Sequence, residues 1–135
     1  MNFVVRVKPA DKVTILNNLG KAKALIDTPE KWTQDAFARD VHGNPTSWYA
    51  KALGREPVCF CAIGAVRKAS NSIPPDEIIS YAQDGITVLT EDFLGYVSKK
   101  LYGVSIESFN DRVKHFEVMG LFDEAIKEAK ALETT

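Results

Sequence analysis

The sequence predicts a mainly α fold: a compact single-domain helical bundle over residues 1–135, with room for a short N-terminal strand or arm at residues 1–9. Three observations lead there. Apolar residues recur at spacings of three and four at both ends of the chain, which is the period of a helix with one buried stripe. Helix-start chemistry stands before several of these stretches. Strand-like alternation is confined to Phe3, Val5 and Val7, and one strand without a partner is not stable.

Taken in order, Phe3 to Val7 reads as a strand or docked arm. From Asp11 to about Asp27, Ile15, Leu16, Leu19, Ala22, Leu25 and Ile26 mark an amphipathic helix with lysines between them. Thr28-Pro29-Glu30 signals a second helix over Pro29 to Arg39, because a hydroxyl caps free amides, proline suits the first position and an acid suits the positive end. Gly43, Asn44 and Pro45 place a turn over Asp40 to Pro45, and a short helical turn is expected between Trp48 and Leu53, closed by Gly54 and Pro57. Val58 to Val66 holds no polar side chain other than thiols, so it is buried on every side as a core helix or a central strand. Helix is favoured, because Arg67-Lys68-Ala69 continues it and no second strong strand is in sight.

Ser72 to Pro75 breaks the chain, Pro75 to Ala82 reads as a short helix, and Asp84-Gly85 ends it. Thr90 with Glu91 and Asp92 opens a helix that turns Phe93, Leu94, Val97 and Leu101 inward and closes at Gly103. Ser105 caps the next. The clearest stripe is the last: Val118, Met119, Phe122, Ala125, Ile126, Ala129 and Leu132.

A chain of 135 residues can bury a core without disulfide or metal staples, and its 45% apolar and 26% charged residues exclude disordered, collagen-like and coiled-coil classes. No run approaches the roughly 18 apolar residues of a membrane span, and the N-terminus lacks the apolar core of a signal peptide, so a cytoplasmic protein is expected. Cys59 and Cys61 lie too close in sequence for a good disulfide, and reduced thiols are expected. The net charge of −1 gives no general pull toward phosphate, which disfavours nucleic acid as a partner. The charge is uneven, however. Residues 1–72 carry 11 Lys and Arg against 6 Asp and Glu, and residues 73–135 carry 6 against 12, so the halves are +5 and −6 and can complement each other.

Three groups of residues occur together: Trp32-Thr33 with Ala38-Arg39-Asp40 and Gly43; Phe60-Cys61-Ala62-Ile63-Gly64-Ala65; and Ser105-Ile106 with Phe109-Asn110-Asp111, leading to a terminal helix through Asp123-Glu124-Ala125-Ile126. In order and spacing they resemble a family of small bacterial proteins, notably of actinobacteria, and of their phages and prophages. The likeness runs from about residue 20 to 130. The resemblance implies no substrate or cofactor, because the family is one of unknown function. Its members usually carry tryptophan where this chain has Phe109, and a glycine, arginine and threonine stretch where this chain has Arg112 to Phe116. A site shaped by that stretch in relatives is altered here.

Among residues able to carry chemistry, Cys61 comes first, since a thiol at a helix N-terminus is activated by free amides and His42 or His115 could serve as its base. Its neighbours Phe60, Ala62 and Ile63 favour the plainer reading of a packed core thiol. Cys59-Phe60-Cys61 with two distant histidines gives no second close pair of ligands, so no metal site is expected and no cofactor is indicated. Gly64-Ala65 reads as room for a second helix to pack closely. Arg39-Asp40 and Asn110-Asp111 sit where apolar elements meet breaks, where such residues usually tie loops to the core. The functional alternative joins them with Trp32 and Cys61 in a polar pocket in which Asp111 is a candidate catalytic carboxylate. Trp48 and Tyr49 follow a turn and are candidate anchors for a protein partner.

The expectation is therefore a small helical protein-binding or regulatory module in a bacterial or phage setting, with Trp32, Arg39, Asp40, Trp48, Tyr49, Asn110 and Asp111 as its binding residues. The alternative is a hydrolase or transferase using Cys61 with a histidine, or carboxylates around Asp40 and Asp111. A third reading, nucleic-acid binding, requires Arg6, Lys8, Lys21, Lys23 and Lys31 on one face.

Overall fold

The structure, a computed structural model, describes residues 6–70 and 85–135. The chain runs β1 (Arg6–Val7), α1 (Pro9–Leu25), a 3₁₀ turn (Pro29–Lys31), β2 (Ala38–Arg39), β3 (Pro45–Thr46), β4 (Cys59–Phe60), α2 (Ala62–Ala69), α3 (Gly85–Tyr102), α4 (Ile106–Asn110), α5 (His115–Lys130) and β5 (Glu133–Thr134). It is mainly helical, but a small sheet of order β3-β2-β4 and a two-stranded β1-β5 pair make it less than all-helical.

The long helix α1 begins at Pro9, whose missing amide costs nothing in the first turn, and buries Ile15, Asn18, Leu19 and Ala22 on one face. That face packs against α2, α3 and α5. The last helix, α5, closes the core with Val118, Leu121, Phe122, Ala125 and Ala129, all fully buried. Met119, Ile126 and Leu132 of the expected stripe lie at its margin, and Leu121 takes the central place. Burial of this much apolar area is the main stabilising term, at roughly 25 cal/mol per Å². Within the core one polar pair is self-satisfied: Asn18 Nδ2 donates to Thr90 Oγ1 at 3.3 Å, joining α1 to α3.

The N-terminal strand finds its partner at the far end of the chain. β1 pairs in parallel with β5, Arg6 opposite Glu133 and Val7 opposite Thr134. Phe3 and Val5 lie outside the described residues, as do the break at Ser72 to Pro75 and the short helix from Pro75 to Ala82.

Several expectations are corrected. The helix over Pro29 to Arg39 is a single 3₁₀ turn that gives way to extended chain, and Thr28 makes no side-chain cap. Its backbone groups are claimed from elsewhere: Thr33 N donates to the Phe60 carbonyl at 3.0 Å, and Asp35 sits at φ 62°, a left-handed conformation that no helix admits. Val58 to Val66 is not one helix but β4, a sharp junction at Cys61, and then α2. The strand partner missing from the sequence is Ala38–Arg39, hidden inside the misread helix, with Ala38 opposite Phe60 and Arg39 opposite Cys59.

Between Trp48 and Leu53 there are turns and no helix. Gly85 does not end a helix but begins α3, so Thr90 is a buried interior residue rather than a cap. Leu101 does not turn inward but is 41% exposed at the last turn of α3, where the neighbouring Tyr102, equally exposed, stacks on Phe109 at 4.2 Å. Gly103 does close α3, at φ 76° with its amide on the Lys99 carbonyl.

The two charge halves meet in the fold. Arg6 pairs with Glu133, Lys23 with Asp123 and Arg67 with Glu91, each joining a cation of residues 1–72 to an anion of residues 73–135. Lys31 pairs with Asp27. Three of the five residues needed for a basic nucleic-acid face, Arg6, Lys23 and Lys31, are thus already opposed by carboxylates. No helix among the described residues is long and apolar enough to cross a membrane.

Candidate functional site

Three short pieces, the extended segment 32–37, the start of α2 and the end of α4, converge on the side chain of Asn110. Ser105 caps α4 by accepting from Ser108 N at 3.2 Å, which fixes the helix so that Asn110, in its last turn, points into the protein. Asn110 is 2% exposed and spends its whole hydrogen-bonding capacity. Its Oδ1 accepts from Trp32 Nε1 at 2.7 Å and from Ala62 N at 3.0 Å, and its Nδ2 donates to the Thr33 carbonyl at 3.1 Å and to Asp111 Oδ1 at 3.0 Å. The Ala62 amide is one of the free donors of the first turn of α2, so Asn110 caps that helix from outside.

The neighbours reinforce this tie. Gln34 Nε2 donates to the carbonyls of Asn110 and Val113, both at 3.0 Å, and Asp35 N donates to Asp111 Oδ1 at 2.9 Å. Arg39 distributes its guanidinium among Thr33 Oγ1, the Gly43 carbonyl and the Gln34 carbonyl. His115 donates through Nε2 to the Ile26 carbonyl at 2.6 Å, and its ring lies 5.7 Å from that of Trp32.

Held this way, the turn through Asp35 and Phe37 stands off α4 and leaves a recess of about 340 Å³, lined among others by Asp35, Phe37, Cys61, Glu107, Asn110 and Asp111. The carboxylates of Asp35 and Glu107 make no hydrogen bond or ion pair among the described residues, and both residues are exposed. At the floor, Cys61 is the cap residue of α2, its sulfur accepting from Gly64 N at 3.3 Å. Burial pushes the Cys61 thiol up from its ordinary pKa, and the Asp111 carboxylate pushes the same way, against the amides of Gly64 and Ile63 and the more distant Arg67.

The sequence-predicted residues divide clearly. Trp32, Cys61, Asn110 and Asp111 are brought together. Asp40 is not part of the recess: it is buried in the β2–β3 turn, accepts from His42 N at 2.9 Å and Asn44 N at 3.0 Å, and faces Arg55. Arg55 Nη1 is 3.1 Å from Asp40 Oδ2 but off the line of a hydrogen bond, so this contact is ionic. Burial raises the pKa of Asp40, and the two amides with Arg55 more than offset it, leaving the carboxyl below its usual range.

Neither histidine serves Cys61. His42 is on the exposed turn, His115 is committed to Ile26, and among the described residues no base is hydrogen-bonded to the thiol. A thiol needs a base within hydrogen-bond reach to be activated as a nucleophile, and this arrangement gives the Cys61–histidine version of the enzyme reading no geometric support. Among the described residues no group of three or more His, Cys, Asp or Glu is placed to hold a metal ion.

Trp48 and Tyr49 are packed more than presented. Trp48 meets Phe37 edge-on at 5.4 Å and Tyr49 at 5.2 Å, and the Arg67 guanidinium lies over both Trp48 and Phe37, at 5.0 and 5.1 Å, while gripping Glu91 with two bonds. Phe37, Asp35 and Glu107 were missed in the sequence because the first two fell inside the misread helix and the third is one ordinary acid among many. Gly64 does serve close packing, but the neighbour is the Phe37 carbonyl and not a helix: a Cβ there would lie 2.1 Å from that oxygen.

The chain matches, over residues 10–128, a family of unknown function (DUF6197). It belongs to that family. The DUF6197 match takes in the Asn110 tie, the recess and the β2–β3–β4 sheet, and leaves out the β1–β5 pair. No curated protein and no solved structure matches the chain.

Proposed function

We propose that this protein is a small binding or regulatory module acting on another protein, in the cytoplasm of a bacterial or phage-infected cell, and that the partner enters the recess beside Phe37. The observation that carries this reading is the division of labour around Asn110. The buried polar groups are consumed in holding the turn, while Phe37, still 39% exposed beside Trp48 and Arg67, and the carboxylates of Asp35 and Glu107, unpaired among the described residues, line an open recess. An aromatic ring with acids beside a preformed cavity is suited to recognition, and a rigid turn lowers the ordering cost of binding.

The test is affinity capture from bacterial lysate with the parent and with Phe37→Ala, after circular dichroism shows both folded. A partner retained stoichiometrically by the parent and reduced at least about tenfold with the variant, as for loss of an interface anchor, supports the reading. Capture of nothing above background, or of the same protein equally by both, overturns it.

A further inference from the structure

The recess does not end at Phe37. Ile63 and Glu107 also line a second, larger cavity of about 730 Å³ between α3 and α4, so the two adjoin at these residues as parts of one groove. The floor of the second cavity is apolar, set by Ile63, Gly95, Tyr96 and Ile106. At Gly95 an added Cβ would stand 3.8 Å from the nearest atom of Ile106, an ordinary contact, so the glycine and Ile106 lie side by side on this floor.

The rim is the opposite in character. Along the two cavities stand Asp35, Glu91, Asp92, Glu107 and Asp111, against Lys99 alone, which is a charge of −4; counting Arg67, which neutralises Glu91, the rim is −3. For a chain whose net charge is −1, that is a local concentration of negative potential with an apolar centre. Asp92 registers it: burial and the neighbouring Glu91 both hold its carboxyl above the usual range.

On the reading above, that the chain binds another protein, we propose that this groove docks a short basic segment of the partner, seating an apolar side chain on Gly95, Tyr96 and Ile106 with lysine or arginine on Asp92, Glu107 and Asp35. Complementarity of charge selects the occupant. An acidic segment would meet the rim charge at close range, and a purely apolar one would strand the carboxylates of Asp92 and Glu107, which have no ion-pair partner among the described residues. Long cationic side chains can also lay their methylene stems along the apolar floor.

The probe is a fluorescein-labelled dodecapeptide of lysines and leucines in helical spacing, measured by fluorescence anisotropy against the full chain. The comparison peptides have glutamate for every lysine, or serine for every leucine. The expected result is micromolar binding of the first peptide only, weakened about tenfold or more by Asp92→Lys with Glu107→Lys, weakened in high salt, and unchanged by the exposed control Glu30→Lys.

Equal binding of the acidic peptide, or indifference to Asp92→Lys with Glu107→Lys, overturns the proposal. So does spermine binding as tightly as the peptide, which would make this a polyamine site. A second copy in the groove would show as a dimer in sedimentation that the same double variant dissociates, and that also overturns it. These failures leave capture of a Phe37-dependent partner standing, whereas failure of that capture removes the binding reading itself.

Discussion

Gly64→Ala puts a number on how tightly the segment around Phe37 is built into the fold. Gly64 lies in the first turn of α2, where helix propensity alone predicts that alanine stabilises, by up to about 1 kcal/mol. The structure predicts the reverse. A Cβ would stand 2.1 Å from the Phe37 oxygen and 3.0 Å from its carbonyl carbon, and these are backbone atoms that cannot rotate away. Relief requires the 35–38 segment to retreat from α2 by about an ångström, for which overpacking costs of roughly 1–3 kcal/mol are typical. The same carbonyl accepts Cys61 N at 3.0 Å, and weakening that buried bond adds about 1 kcal/mol. After the helix-propensity gain of about 1 kcal/mol, a net loss of roughly 1–3 kcal/mol remains, or about 3–12 °C in Tm for a chain of this size. Gly20→Ala and Gly120→Ala are the internal controls. Both glycines lie within long helices and have nothing within 4 Å of an added Cβ, so each should gain about 0.5–1 kcal/mol. Differential scanning calorimetry of the three variants decides the matter: a Tm for Gly64→Ala at or above the parent's would refute the close approach of Phe37 to α2.

The other predictions concern the groups around Asn110. Asn110→Ala should cost roughly 3–5 kcal/mol in urea unfolding, because it strands Trp32 Nε1, the Ala62 amide and the Thr33 carbonyl at once; a cost under 1 kcal/mol would mean that these groups re-pair. Asp111→Ala should cost about 1–3 kcal/mol and Asp111→Asn less, since the amide oxygen still accepts from Asp35 N; equal losses would show that charge and not the acceptor matters. Cys61→Ala should cost about 1–2 kcal/mol, and at pH 8 maleimide should label the half-buried Cys59 well before Cys61. Because the Cys61 pKa is raised in the fold, its contribution to stability is present below the thiol's unfolded value and declines as pH rises through and beyond it, so the parent should lose more stability than Cys61→Ala between pH 8 and 10.

The parts of the fold that were legible are those whose period is long enough to be unambiguous. α1 and α5 each repeat their stripe over four turns or more, and no tertiary contact has to be known to read them. The parts that misled are short and mutually dependent. Ala38–Arg39 is a strand through its pairing with Pro45–Thr46 on one side and Cys59–Phe60 on the other, and two residues carry no period of their own. Reading the first as helix removed the partner of the second, so a single local error propagated through both. The helix-start signal at Thr28-Pro29-Glu30 was genuine but yielded one 3₁₀ turn, because Trp32, Thr33 and Gln34 are bound by residues more than 70 positions away. The Asn110–Asp111 junction was legible as a place where polar side chains fix a break, since asparagine and aspartate at such positions bond backbone; which backbone they bond was not.

The residue types at this junction follow from its geometry. The position of Asn110 must offer an acceptor to two donors, Trp32 Nε1 and Ala62 N, and a donor to two acceptors, the Thr33 carbonyl and Asp111. A carboxylate would have no proton for Thr33 and would set a second negative charge against Asp111, and a hydroxyl has too few hydrogen-bonding positions to serve all four. Only a primary amide meets the requirement, and glutamine, longer by one methylene, would not fit the same distances with the backbone of α4 in place. Once the amide is fully committed, Asp111 is committed too, because its Oδ1 is shared between that amide and the Asp35 backbone. The consequence for function is a matter of elimination. The conspicuous polar residues, Arg39, Asp40 and Asn110, are spent on the protein's own backbone, and what faces outward is an aromatic ring and acids that look unexceptional in the sequence. Recognition by such a surface depends on the placement that Asn110 enforces, so disrupting Asn110 should abolish binding by releasing the 32–37 segment, without Asn110 itself touching the partner.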